Sequence, residues 1–185
     1  MLQIRERDLP ARVLYRLTKA VTDRVRERGT MVLVNDRADI AACTGAGVHL
    51  TTRSLTAEVV RSAFGKDIVI GVSTHNREEA ETAERGGADF IVFGPVFETA
   101  GKAEYGEPVG LDALRRVATS SRIPVIALGG LKPTNFHQAL DAGAAGVAGI
   151  SMFIDSFLES AQSQTLSEMV STLKDRNSDR PKITG

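Results

Sequence analysis

The chain has 185 residues, 42% of them hydrophobic, and 23 lysines and arginines balance 23 aspartates and glutamates. That length suits one domain with a sizeable core, and the even charge gives no reason to expect a nucleic-acid or anionic-membrane partner. The single Cys43 excludes an internal disulfide, no apolar run is long enough to span a bilayer, and no basic-then-apolar leader follows Met1. A reducing, cytoplasmic setting is therefore the expectation.

Residues 2–6 alternate as a short strand, and the amphipathic stretch 9–28 reads as a helix stopped at Gly29. An apolar strand at 31–34, a short helix at 37–44 and a buried strand at 47–50 follow. The pattern repeats with a helix at 56–64, a strand at 67–72 and a charged helix at 77–85 closed by Gly86-Gly87. Strands at 90–93, 124–128 and 146–150 then alternate with helices at 111–119, 134–142 and 157–173. Residues 1–174 are expected to form one domain, with 175–185 a polar, disordered tail.

Unbroken apolar strands separated by helices predict a parallel sheet covered by helices, either a TIM (β/α)8-type barrel or a doubly wound sheet. The first strand turn of a dinucleotide-binding sheet calls for Gly-x-Gly-x-x-Gly, and Arg5-Glu6-Arg7 stands there instead. The barrel is preferred, with seven strand-helix units readable and the first unit of eight expected to be missing from the front.

Polar residues gather where strands end, the face on which barrels build their sites. Phe93-Gly94-Pro95, Ile126-Ala127-Leu128-Gly129-Gly130 and Gly146-Val147-Ala148-Gly149-Ile150-Ser151 each run from apolar residues into glycine. Amides freed there, with Thr99, Lys102 and Ser151, make an anion-binding rim, although each glycine alone can be a simple turn. Gln3, Arg5 and Arg7 share one face if the first strand persists, and point either into the mouth or along a solvated edge. Asn35-Asp36 can orient a ring nitrogen or hold a hard cation, or Asp36 can cap the next helix. Ser73-Thr74-His75 offers hydroxyl and imidazole contacts or helix-capping chemistry. His49 reads as a satisfied core histidine, and Cys43 as a small buried hydrophobe on a helix. Neither a nucleophile elbow nor a zinc-type spacing nor paired carboxylates occur, so the chemistry rests on phosphate handling.

Together Gln3-Ile4-Arg5-Glu6-Arg7, Val34-Asn35-Asp36-Arg37, Gly47-Val48-His49-Leu50, Gly71-Val72-Ser73-Thr74-His75, Phe93-Gly94-Pro95-Val96-Phe97 and Leu128-Gly129-Gly130-Leu131 resemble thiamine-phosphate synthase, with thiazole tautomerase as a close relative. The likeness covers about residues 2–155 and implies a TIM barrel read from the family's second strand. It also implies a transferase of thiamine biosynthesis that joins aminopyrimidine diphosphate to a thiazole phosphate with magnesium assistance and loss of pyrophosphate. Gln3, Arg5 and Arg7 would surround the pyrimidine and its diphosphate, Asn35 and Asp36 the diphosphate and magnesium, and Ser73 the reacting groups. Thr99 and Lys102 would meet phosphates, while Gly130, Ile150 and Ser151 would hold the thiazole phosphate. Catalytic roles would fall to Arg5, Arg7, Ser73 and Lys102. Partners would be these small phosphorylated molecules, and a homo-oligomer is compatible with the pattern.

The chain also departs from the family. Arg7 replaces the usual lysine, a planar fork in place of a compact ammonium. Thr51-Thr52-Arg53-Ser54 stands where a second metal-binding aspartate is usual, so Ser54 removes an anionic ligand. Glu98 and Gly101 replace a proline and a phosphate-binding threonine, and Phe97-Glu98-Thr99 is nearer the tautomerase pattern, whereas Pro95 occupies the place of a tautomerase's proposed histidine base. Besides the synthase reaction, thiazole tautomerisation and a catalytically weak phosphate-binding or regulatory protein are the alternatives.

Overall fold

The computed structural model describes residues 1–99 and 107–153. Strands β1 (Leu2–Ile4), β2 (Val32–Asn35), β3 (Gly47–Leu50), β4 (Ile70–Thr74), β5 (Phe90–Phe93), β6 (Val125–Leu128) and β7 (Gly146–Ala148) alternate with helices α1 (Ala11–Val25), α2 (Ala38–Thr44), α3 (Ala57–Phe64), α4 (Arg77–Arg85), α5 (Gly110–Ser120) and α6 (Phe136–Asp141). This is the α/β architecture of a TIM-type barrel, with seven strands among the described residues. The expected final helix at 157–173 and the tail at 175–185 lie outside the described residues.

The chain divides into two compact bodies, one holding residues 1–73 and 82–90, the other 74–81 and 91–153. In the first, β1 to β4 pair in parallel and in sequence order, with Leu2 opposite Val32, Asn35 opposite His49 and Leu50 opposite Val72. Ile4, Val34, Val48 and Ile70 form a buried apolar row along one face. The other face alternates large and absent side chains, because a Cβ on Gly71 would enter the Phe90 ring and one on Gly47 would meet Leu33 and Val69. In the second body β5, β6 and β7 pair in parallel, Phe93 opposite Ala127 and Leu128 opposite Ala148. Their core is built on Phe93, Leu114, Ala127, Phe136 and Leu140, all buried. Each fully buried phenylalanine there contributes about 2 kcal/mol of transfer free energy.

Helix ends follow the expected chemistry. Gly29, with φ of 65°, closes the turn after α1 in the left-handed region that side chains avoid. Thr56 accepts a hydrogen bond from the Val59 amide at the start of α3. Asn76 accepts from the Glu79 amide while Glu79 accepts from the His75 amide, a reciprocal cap on α4. Capping in this segment is thus carried by Asn76 and Glu79.

Several boundaries differ from expectation. β1 stops at Ile4 rather than residue 6, so Arg5 and Arg7 leave from a loop instead of sharing a strand face with Gln3. β4 starts at Ile70 because the approach to it is claimed by side chains: the Arg61 guanidinium donates to the carbonyls of Gly65, Ile68 and Gly87, and Asp89 both pairs with Arg61 and accepts from the Ile70 amide. β7 ends at Ala148, and residues 151–153 already turn as helix. Cys43 is exposed, not buried. On α2 the core-facing positions are taken by Ile40, Ala41 and Thr44, which leaves Cys43 on the outer side.

Candidate functional site

In the first body, the ends of β1 to β4 carry a continuous row of polar side chains. Asn35 closes β2, and the next residue, Asp36, takes φ of 61°, the single non-glycine residue with positive φ among the described residues. That left-handed turn costs about 1 kcal/mol and is a feature of functional loops. It turns the carboxylate back over the sheet rather than onto α2, whose N-cap is Arg37 and carries no side-chain cap. The capping role open to Asp36 is therefore not the one it takes.

Instead, Asp36 accepts from Asn35 Nδ2 at 2.6 Å through one oxygen and from the Ser54 hydroxyl through the other. Ser54 is itself fixed by the Thr51 amide, which donates to its Oγ at 2.7 Å. The residue standing where a second carboxylate would be expected thus lies directly against Asp36. Asn35 is buried, whereas Asp36 is exposed and accessible to a ligand.

Gln3 lies one pleat below Asn35 in register, opposite Leu33, and the length of its side chain carries its amide up to the row. Gln3 Nε2 sits 3.2 Å from Asn35 Oδ1 and 2.8 Å from His49 Nδ1, and the other ring nitrogen, Nε2, lies 3.1 Å from Ser73 Oγ. Burial pushes the His49 imidazole down from 6.5 to about 4, against the opposing charge of Asp36 and with the help of Arg5, so the ring is neutral. His49 is satisfied, as a core histidine should be, but it is also the junction of the polar row. What the sequence hid is that its two nitrogens meet Gln3 and Ser73, residues far apart along the chain. The usable signal was the shared parity of Gln3, Asn35, His49 and Ser73 on parallel strands.

Arg5 and Arg7 are exposed. Arg7 lines a cleft of about 240 Å³ with Glu6, Leu9, Leu14, Asn35, Asp36 and Arg37, so a cation and the Asp36 carboxylate share one cavity. No cluster of three or more histidine, cysteine, aspartate or glutamate side chains suited to a metal ion occurs among the described residues. Asp36 with two neutral neighbours, Asn35 and Ser54, fits magnesium only in the way that ion commonly binds, through one carboxylate with substrate phosphates completing the shell.

In the second body, the turns after β5, β6 and β7 leave from the same end of three paired strands. The Val96 amide donates to the Leu128 carbonyl at 2.8 Å and Phe97 to that of Gly129 at 3.1 Å, which laces the first two turns together. A Cβ on Gly129 would strike Pro95, and one on Gly130 would strike the carbonyls of Phe97 and Glu98. These glycines are demanded by loop packing, a reason that composition did not reveal. Gly130 also has φ of 62°, and its carbonyl accepts from Asn135 Nδ2 at 3.0 Å. Thr99 and Ser151 are exposed at this end, and Ile150 is 66% exposed. Lys102 lies outside the described residues.

Parallel strand-helix units, a polar row on the ends of β1 to β4 and glycine turns on the ends of β5 to β7 define an α/β barrel enzyme whose residues of interest sit at strand C-termini. The profile of the thiamine monophosphate synthase family matches residues 1–153, and the chain belongs to that family. A Geobacter sulfurreducens relative is 51% identical over 153 residues, 82% of this chain and 72% of its own. The thiamine-phosphate synthase of Moorella thermoacetica is 38% identical over 170 residues, 91% of this chain and 81% of its own. Among solved structures, thiamine phosphate pyrophosphorylase from Pyrococcus furiosus superposes with a TM-score of 0.77 at 29% identity, covering 99% of this chain and 83% of that one. No helix among the described residues is long and apolar enough to cross a membrane.

Proposed function

We propose that the chain is a thiamine-phosphate synthase, joining an aminopyrimidine diphosphate to a thiazole phosphate with release of pyrophosphate. The observation that carries this reading is Asp36, held in a left-handed turn with its carboxylate braced by Asn35 and Ser54 instead of capping α2. An exposed carboxylate kept in place at an energetic cost, in a cleft shared with Arg7, suits the diphosphate end of such a substrate.

In this reading Gln3 and Ser73 contact the pyrimidine, Arg5 and Arg7 draw in and neutralise the diphosphate, and Asn35 orients Asp36. Asp36 would hold magnesium, which supplies positive charge to the departing pyrophosphate when bound. Thr99, Lys102, Gly130, Ile150 and Ser151 would hold the thiazole phosphate, through backbone amides, hydroxyls and one cation. No side-chain nucleophile is required, because the carbon–oxygen bond to diphosphate breaks to release pyrophosphate and the resulting pyrimidine cation is captured by the thiazole nitrogen, which forms the new carbon–nitrogen bond. The rate enhancement then rests on positioning and leaving-group stabilisation. A cytoplasmic setting accords with small-molecule chemistry of this kind and with a free cysteine thiol.

The test is pyrophosphate release measured with both substrates, with magnesium and with chelator. Release that needs both substrates and the metal supports the proposal. Metal-independent isomerisation of a thiazole carboxylate phosphate without pyrophosphate release would replace it by the tautomerase reading, and tight ligand binding with neither reaction by the binding-protein reading.

A further inference from the structure

Hydrogen-bond polarity along the row can be followed from its charged end. The Asp36 carboxylate only accepts, so the Asn35 atom 2.6 Å from it must be the amide nitrogen, and Asn35 Oδ1 is left facing Gln3. An oxygen there requires a donor, which assigns the Gln3 atom at 3.2 Å as its nitrogen. The same nitrogen lies 2.8 Å from His49 Nδ1 and can only donate to it. His49 Nδ1 must then present a lone pair, and the proton of the neutral ring must sit on Nε2, 3.1 Å from Ser73 Oγ.

We propose that the Asp36–Asn35–Gln3 row locks His49 as the Nε2–H tautomer, so that His49 donates to Ser73 and the Ser73 hydroxyl proton is left free to be donated to a bound ligand. His49 is accordingly a positioning residue that acts through Ser73. The ligand atom it serves is a lone-pair acceptor, such as a ring nitrogen or a phosphate oxygen, which takes the Ser73 proton. The geometry itself requires the lone pair, because an N–H at Nδ1 would face the Gln3 amide nitrogen at 2.8 Å. The part of this inference that concerns turnover rests on the synthase reading; the tautomer does not.

The decisive measurement is a long-range nitrogen–proton correlation spectrum of the ring-labelled full chain near neutral pH, with His49→Asn used to assign its signals among the three histidines. A protonated Nε2 and a lone-pair Nδ1 are expected for His49. An Nδ1–H tautomer or an imidazolium at neutral pH would overturn the proposal, whether or not the chain turns over substrate. A double-mutant cycle tests the action through Ser73. His49→Asn keeps an oxygen for Gln3 but removes the donor to Ser73, so it should lower kcat/KM for the aminopyrimidine diphosphate about tenfold. In a Ser73→Ala background the same change should have little further effect. Equal losses in both backgrounds would mean that His49 does not act through Ser73. If no turnover is found at all, the synthase reading fails and the spectrum alone decides the tautomer.

Discussion

Between pH 6.5 and 4 the burial of His49 should cost the folded chain stability. Its folded value lies near 4, below the ordinary 6.5, because burial disfavours the charged ring more than Asp36 favours it. In this window the unfolded chain binds the proton and the folded chain does not, so stability rises with pH and the contribution is fully present above 6.5. It drains away as the pH falls towards 4. The gap between the two values corresponds to about 3 kcal/mol, most of it lost by about pH 4.5. That is a large part of the margin of a domain with 5–15 kcal/mol in hand. Urea unfolding at several pH values, for the parent and for His49→Asn, isolates the effect, since the variant cannot titrate there and carboxylate contributions cancel in the difference. Parent minus variant should fall by about 3 kcal/mol on acidification. A difference that stays constant between neutral pH and pH 4.5 would refute both the burial account and the neutral junction it supports.

Arg61→Ala should lower stability by about 2 kcal/mol or more in denaturant melts, because it strands the carbonyls of Ile68 and Gly87 and leaves Asp89 without its ion pair. Gly130→Ala should weaken binding of thiazole phosphate in calorimetry, since the methyl group collides with the Phe97 and Glu98 carbonyls and the site's φ disfavours a side chain. Asp36→Asn should cut turnover more than it cuts thiazole-phosphate affinity. Ser54→Asp should tighten magnesium binding, because it sets a second carboxylate against Asp36. Magnesium titrations of that variant that match the parent would remove Asp36 as the metal ligand.

The order of strands and helices was legible in the sequence because buried parallel strands are continuous apolar runs and amphipathic helices follow a period that local contacts enforce. Strands β3 and β5 and helix α4 match expectation to the residue. Boundaries moved where distant side chains intervened, as Arg61 and Asp89 do ahead of β4, and where β1 ended at Ile4 before its alternation could continue. Candidate site residues were visible as polar types at the ends of apolar runs. Their partnerships were not. Ser54 could be noticed as a missing carboxylate, but only the folding of its loop sets it against Asp36. His49 looked like an ordinary buried histidine because nothing local distinguishes one. The register of β1 to β4 brings Gln3 and Ser73 to its two nitrogens, and register is a property of strand pairing, decided by packing between segments tens of residues apart. The glycines after β6 teach the same lesson: their number was in the sequence, while the close passage of residues 95–98 that makes them necessary exists only once the strands have come together.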